Sequence, residues 1–285
     1  MKDYDERLKK LVDEALQEDV GDGDHSTLCC IPADVQGRAV LRIKENGILA
    51  GISVAEKIFK YRWPQCYFVS RKHDGEEMRK GEVGFEVEVP VHIILQLERL
   101  VLNCMQRMSG IATLTRQFTD KLKSYKTKLL DTRKTTPNFR LLEKEAVRIA
   151  GGVNHRFGLF DMIMLKDNHI DYCGGIEQAV NRADEYVKRY RPDLKIEVEA
   201  RTLDDVKTLM NIGKGKVFRV MLDNFKPDQI KDAMRIIDGT FETEASGGIT
   251  LDNIEAFADT GVDYVSTGAI IHQARSLDLS LKAVV

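Results

Sequence analysis

DTRKTTPNFRLLEKEAVRIAGGVNHRFGLFDMIMLKDNHI, residues 131–170, decides how the chain reads. A short apolar run, Leu129-Leu130, leads into Asp131-Thr132-Arg133-Lys134. The spacing then predicts a helix over 137–150. Thr136 is its N-cap and Pro137 its first residue, where a missing N–H costs nothing. Phe139, Leu142, Ala146 and Ile149 recur at helical spacing and give the buried face, while Arg140, Lys144 and Arg148 share the other. Gly151-Gly152 supplies a left-handed C-terminal turn. Asn154-His155-Arg156, the apolar run 162–165 and Lys166-Asp167-Asn168-His169 follow. The order is strand, basic loop, helix, basic loop, strand, basic loop. Cations just past strand ends are where an α/β protein places a site for an anionic substrate.

The same rhythm continues to the right. Strands are expected at 128–131, 162–166, 195–199, 217–222, 240–245 and 263–266, with helices at 137–150, 174–190, 202–212, 226–237 and 251–259. Six βα units at this spacing point to a (β/α) barrel, complete or incomplete, rather than an open sheet. To the left the pattern differs. Residues 3–18 form an amphipathic helix, 35–50 and 67–90 read as strands, and 54–61 as a short helix. Residues 83–90 alternate at period two, which marks a half-exposed strand in a sheet open on one side. A long apolar stripe over 92–123 predicts a helix broken near Ser109-Gly110, with Arg99 off the stripe as a solvated charge. The acidic run 18–24 lacks the bidentate Glu of a calcium loop and reads as a turn. Residues 277–285 are too apolar for a free tail and should pack back on the body.

Composition narrows the class. In 285 residues, 43 Lys and Arg face 45 Asp and Glu, a net charge of −2, which argues against a general nucleic-acid binder. Residues 131–170 depart from this balance, with seven Lys and Arg against five Asp and Glu. A local cationic cluster on a mildly acidic chain suits a small anion. No apolar run reaches membrane-span length, and MKDYDERLKK does not read as a secretory leader. Five cysteines without metal-finger spacing read as reduced thiols of a cytoplasmic protein.

Three constellations carry chemistry. Arg133, Lys134, His155, Arg156 and Lys166 all fall at or just past predicted element ends, where guanidinium forks and ammonium groups can grip carboxylate or phosphate. Glu199 and Asp223 close two strands; they either share a Mg²⁺ ion with substrate phosphates or pair with neighbouring cations. Ser246-Gly247-Gly248 and Ser266-Thr267-Gly268 follow the last two strands, where small residues let backbone N–H groups approach a phosphate. His155, beside Arg156, is a hydrogen-bond donor to an anion more readily than a base; His169 reads as a satisfied histidine.

Taken together, DTRKTTP, RLLEKEAV, GGVNHR and LFDMIMLKDNH, with ERLVLN before them and LDNF, EASGGITLDN and STGA after, resemble the quinolinate phosphoribosyltransferase family from about Glu18 onward. The resemblance implies an N-terminal α/β open-faced sandwich over 1–112, an incomplete (β/α) barrel over 113–272, and a tail, 273–285, packed on the first domain. It implies a homodimer with shared sites, in which Arg99 reaches the neighbour's active site. Arg133, His155, Arg156 and Lys166 match the pocket for the two quinolinate carboxylates and nearby phosphates. Lys134 matches a residue near the pyrophosphate. Glu199 and Asp223 match the carboxylates that approach the ribose and Mg²⁺, with Lys134 and Lys166 beside them as catalytic groups. Ser246, Gly247, Gly248, Ser266, Thr267 and Gly268 match the ribose-phosphate loops. No organic cofactor is implied. The alternatives are a related transferase with another acceptor and a non-catalytic paralogue. Asn138 stands where the family often has glycine, and 271–275 departs from the small and hydroxyl residues expected there.

Overall fold

A computed structural model describes residues 2–284, and the side chains of 4–284. In chain order the elements are α1 (Lys2–Asp19), α2 (His25–Cys30), β1 (Gln36–Ile43), β2 (Gly47–Ile48), α3 (Ile52–Arg62), β3 (Tyr67–Ser70), β4 (Glu77–Met78), β5 (Val83–Pro90) and α4 (Val91–Lys121). They continue with β6 (Lys128–Leu130), α5 (Arg140–Ile149), β7 (Ile163–Leu165), α6 (Asp167–Cys173), α7 (Ile176–Tyr190), β8 (Ile196–Ala200) and α8 (Leu203–Ile212). The rest are β9 (Arg219–Asp223), α9 (Pro227–Ile237), β10 (Glu242–Ser246), α10 (Ile254–Ala258), β11 (Tyr264–Ser266), α11 (Ala269–His272) and β12 (Leu279–Val284). Two compact units result: Met1–Arg116 with Thr135–Gly151 and Ile270–Val285, and Gln117–Lys134 with Gly152–Ala269.

The first unit holds a four-stranded antiparallel sheet in the order β12-β1-β5-β3. β12 lies along β1 with Ile43 opposite Leu279 and Arg38 opposite Val284, so the apolar C-terminal run completes the sheet. Phe85, Val87 and Val89 of β5 point inward, and Phe59 and Phe68 meet Phe85 at ring-centroid distances of 6.2 and 4.6 Å. Arg38 and Arg71 reach Glu86 on the other face, so the alternation of β5 sorts one buried and one solvated side.

Three expectations for this unit fail for identifiable reasons. α4 runs unbroken through Ser109-Gly110. The Ser109 hydroxyl accepts from the Ala50 N–H at 3.0 Å, and a Cβ on Gly110 would lie 1.8 Å from the Arg275 carbonyl oxygen. The glycine is there for close approach of the C-terminal segment, not for a kink. The acidic run 18–24 is the turn expected, closed by the Gly23 N–H on the Val20 carbonyl at 2.9 Å, and its last residue also caps α2: the Asp24 carboxylate accepts from the Thr27 N–H at 3.1 Å. α5, too, starts at Arg140 rather than 137, because Asn138 sits at φ 63° in the left-handed region. Thr136 does not cap it; its N–H and hydroxyl donate to Glu143 at 2.8 and 2.9 Å. That buried glutamate also accepts from Arg107 on α4 at 2.9 Å, which ties α5 into the first unit.

The second unit is a six-stranded parallel sheet in the order β6-β11-β10-β9-β8-β7, with β6 and β7 as its edges. A single parallel bridge from Leu130 to Val153 lengthens the β6 edge. The sheet with α7, α8, α9 and α10 between its strands is a mixed α/β, incompletely closed barrel. α6, not expected from the sequence, begins directly after Lys166 because His169 accepts the Lys166 N–H on Nδ1 at 3.1 Å and Gly174 ends it at φ 92°. α10 starts at Ile254, three residues later than expected, after a turn held by the Asn253 side chain on the Thr250 N–H at 2.8 Å.

Candidate active site

Side chains of a strand alternate, so on β8 Ile196, Val198 and Ala200 pack under the helices while Glu197 and Glu199 face the barrel interior. On β10 the same alternation turns Glu242, Glu244 and Ser246 inward, and on β9 it does so for Arg219 and Asp223. The C-terminal ends of these strands make the mouth. There Lys166, at the end of β7, lies 3.3 Å from Glu199 Oε2, and the Asp167 N–H points at Glu199 Oε1 from 3.4 Å. Asp223 is held by the Asn224 side chain at 2.6 Å and lies in register with Ser246, which in turn lies in register with Ser266. Gly247, at φ 99°, admits no side chain: its Cβ would lie 2.2 Å from Asn224 Oδ1. Thr267 donates to the Ile249 carbonyl at 3.1 Å and accepts from the Ala269 N–H at 3.2 Å, which fixes the loop that includes Gly268.

The cations of the two basic loops gather at the β6–β7 side of the mouth. Arg133 and Lys134 are exposed beyond β6. Arg156 is half-buried and donates to the Met162 carbonyl at 3.2 Å. Burial, and then the like charge of Arg133, both weaken its hold on a proton. Two guanidiniums close enough to repel, one of them half out of water, form a site that an anion would relieve. Arg99 is exposed on α4, in the first unit, with no hydrogen bond or ion pair to the described residues.

His155 lies deeper. Its N–H donates to the buried Asp131 carboxylate at 2.8 Å, whose other oxygen takes the Asn154 amide at 2.7 Å. Its Nδ1 accepts the Arg156 N–H at 2.6 Å. Its Nε2 lies 3.2 Å from an oxygen of Glu197 and 3.2 Å from one of Glu244, off the line of a straight hydrogen bond to either. Beneath these, Arg219 Nη1 lies 3.6 Å from Glu197 and 3.3 Å from Glu244, with the guanidinium over the Tyr264 ring at 4.3 Å.

The protonation of this cluster follows from its dryness. Burial disfavours charge on His155, but the two carboxylates outweigh it and push the imidazole up to about 9. Burial and the like charge of Glu244 push Glu197 up to about 7. Burial also opposes charge on Glu244, yet His155, Ser266 and Arg219 hold it below the usual carboxylate range. Arg219 therefore neutralises Glu244, and His155 with Glu197 retains one proton between them.

The sequence reading overlooked Asp131, Glu197, Arg219 and Glu244. Their signal was present. Parallel barrel strands usually read as near-continuous apolar runs, whereas IEVEA and ETEAS alternate charge with apolar residues.

Comparison with known proteins gives one consistent picture. Residues 24–109 match the model of the quinolinate phosphoribosyl transferase N-terminal domain, and residues 111–282 that of its C-terminal domain. The chain is 44% identical to the chloroplastic nicotinate-nucleotide pyrophosphorylase [carboxylating] of Oryza sativa subsp. japonica, covering 96% of this chain and 77% of that one. It is 41% identical to the probable nicotinate-nucleotide pyrophosphorylase [carboxylating] of Bacillus subtilis, covering 96% and 93%. Among solved structures, NadC from Streptococcus pyogenes superposes with a TM-score of 0.88 at 37% identity, covering 98% and 97% of the two chains.

Proposed function

The chain belongs to the quinolinate phosphoribosyltransferase family, and from that premise we infer that it makes nicotinate mononucleotide, CO₂ and pyrophosphate from quinolinate and phosphoribosyl pyrophosphate, a step of NAD biosynthesis. The observation that carries the reading is the pair of mutually repelling arginines, Arg133 and Arg156, beside Lys166 at the barrel mouth. A planar dicarboxylate offers each guanidinium a bidentate partner. His155 belongs to the same set, its ring turned inward beneath Arg156.

The acceptor nitrogen attacks the anomeric carbon as the C–O bond to pyrophosphate breaks. Lys134, exposed beside Arg133, meets charge on the leaving group in this reading. Glu199 and Asp223 offer hard oxygen donors on neighbouring strands, a donor set that fits Mg²⁺, which when bound would neutralise pyrophosphate charge. Bond formation makes the pyridine ring cationic. The carboxylate beside the nitrogen then leaves as CO₂, and its electron pair stays on the ring carbon next to that positive nitrogen until a proton replaces it. Ser246-Gly247-Gly248 and Ser266-Thr267-Gly268 receive the ribose phosphate on backbone N–H groups.

Purified protein given quinolinate, phosphoribosyl pyrophosphate and Mg²⁺ should release CO₂ and form the mononucleotide. Turnover of nicotinate with none of quinolinate would overturn the reading. Arg99 supports a homodimer with shared sites, since it is exposed and has no charge partner among the described residues. Arg99→Ala and Arg133→Ala should each be inactive alone and regain activity when mixed; no recovery would contradict sharing. No helix among the described residues is long and apolar enough to cross a membrane, and the reduced cysteines support a cytoplasmic location.

A further inference from the structure

The three buried side chains His155, Glu197 and Glu244 offer ligand atoms within 4.8 Å of one another, as a metal site would. A cation does not fit there. The Arg219 guanidinium already lies within 3.6 Å of both carboxylates and would be forced against the ion in a dry interior. What the geometry does is hold a ring. The imidazole is held between two carboxylates from β8 and β10 that face Nε2 from 3.2 Å, and at Nδ1 by the Arg156 N–H. The main chain of the same residue is pinned by Asp131, just past β6. Residues of β8 and β10 and the residue after β6 thereby fix the turn Asn154-His155-Arg156, and Arg156 leaves that turn toward the mouth with a carbonyl contact of its own to Met162.

We propose that Glu197 and Glu244, backed by Arg219, are positioning residues of the acceptor site: they lock the His155 ring and through it the direction of the Arg156 guanidinium. This deepens the reading of the site as one for a dicarboxylate and rests on it. Neither glutamate needs to touch substrate. Placement errors of about an ångström in a binding group are enough to cost on the order of a hundredfold in rate. The ribose-phosphate loops are held by Asn224, Asn253 and Thr267, and Glu244 is the member of the cluster that meets them, at Ser266.

The test is steady-state kinetics of the full-length enzyme carrying Glu197→Gln, an isosteric change that removes the carboxylate facing His155. KM for quinolinate should rise at least about tenfold, with KM for phosphoribosyl pyrophosphate within about twofold of wild type. A parallel rise in both KM values would mark a merely structural role and overturn the proposal; so would an unchanged KM for quinolinate. Glu244→Gln provides the second variant should Glu197→Gln not fold, read on KM for quinolinate, whose unchanged value would again overturn the proposal. On the wild-type protein above pH 9, where the His155 ring is neutral, nitrogen NMR should show hydrogen on Nε2 and none on Nδ1; the reverse would also overturn it. Wild-type protein inactive on quinolinate would instead sink the underlying reading, so the two failures are distinguishable.

Discussion

Glu197 and Glu199 sit two residues apart on β8, both facing the barrel interior, yet their surroundings differ in kind. Glu197 is fully buried among His155, Arg219 and Glu244, and every charge near it is answered by protein. Glu199 meets Lys166, whose side chain is 46% exposed, and beyond it the mouth carries Arg133, Lys134 and Arg156 with positive charge in excess. The same contrast recurs on β10 between Glu244 and Ser246. The inner layer is closed electrostatically and gives rigidity; the outer layer is left incomplete for an anion to finish. Breaking the inner layer should therefore be felt as stability, and breaking the outer one as binding and rate.

The largest effect is expected from Glu244→Ala, which strands Arg219 and His155 in a dry interior. Removing one partner of a buried ion cluster costs about 3 to 5 kcal/mol, and denaturant unfolding should show it. Lys166→Ala should leave that unfolding curve in place within about 0.5 kcal/mol, since it removes a half-exposed charge. Its effect belongs to chemistry: kcat/KM for quinolinate should fall by about 10²- to 10³-fold, roughly 3 to 4 kcal/mol of transition-state stabilisation. A Lys166→Ala variant that unfolds early but turns over normally would invert the comparison.

The smallest effect is a pH dependence of the inner layer. His155 titrates higher in the folded chain than its ordinary value of 6.5, up to about 9. Its contribution is thus fully present below 6.5 and is lost as pH rises through about 9. Glu197, raised to about 7, holds its proton in the same sense. Stability should fall between these limits by about 3 kcal/mol, and Glu244→Gln should flatten the slope. A stability that rises over this range would contradict the shared proton.

Much of this architecture was legible before any coordinates. The six barrel strands fall where the apolar runs place them, because buried parallel strands must be apolar on their helix-facing side. What escaped notice was set by partners distant in sequence. Gly110 looked like a helix breaker, but its role is set by Arg275 far along the chain. Thr136 looked like a cap, but Glu143 claims it. α6 was hidden because Lys166-Asp167-Asn168-His169 is polar throughout, and polar residues at a helix start read as loop. Arg133, Arg156 and Lys166 were readable as an anion set from their positions after strands. Glu197 and Glu244 were passed over because a charge in the middle of a barrel strand has meaning only once the opposite strand's charge is known.

The most direct measurement is a crystal structure with quinolinate bound. The account predicts both carboxylates on Arg133, Arg156 and Lys166 at the barrel mouth, above a cluster in which Glu197, Glu244 and Arg219 keep the positions they hold without ligand. A dianion bound away from those three cations, or a cluster that comes apart to admit it, would contradict the division between a closed interior and an open mouth.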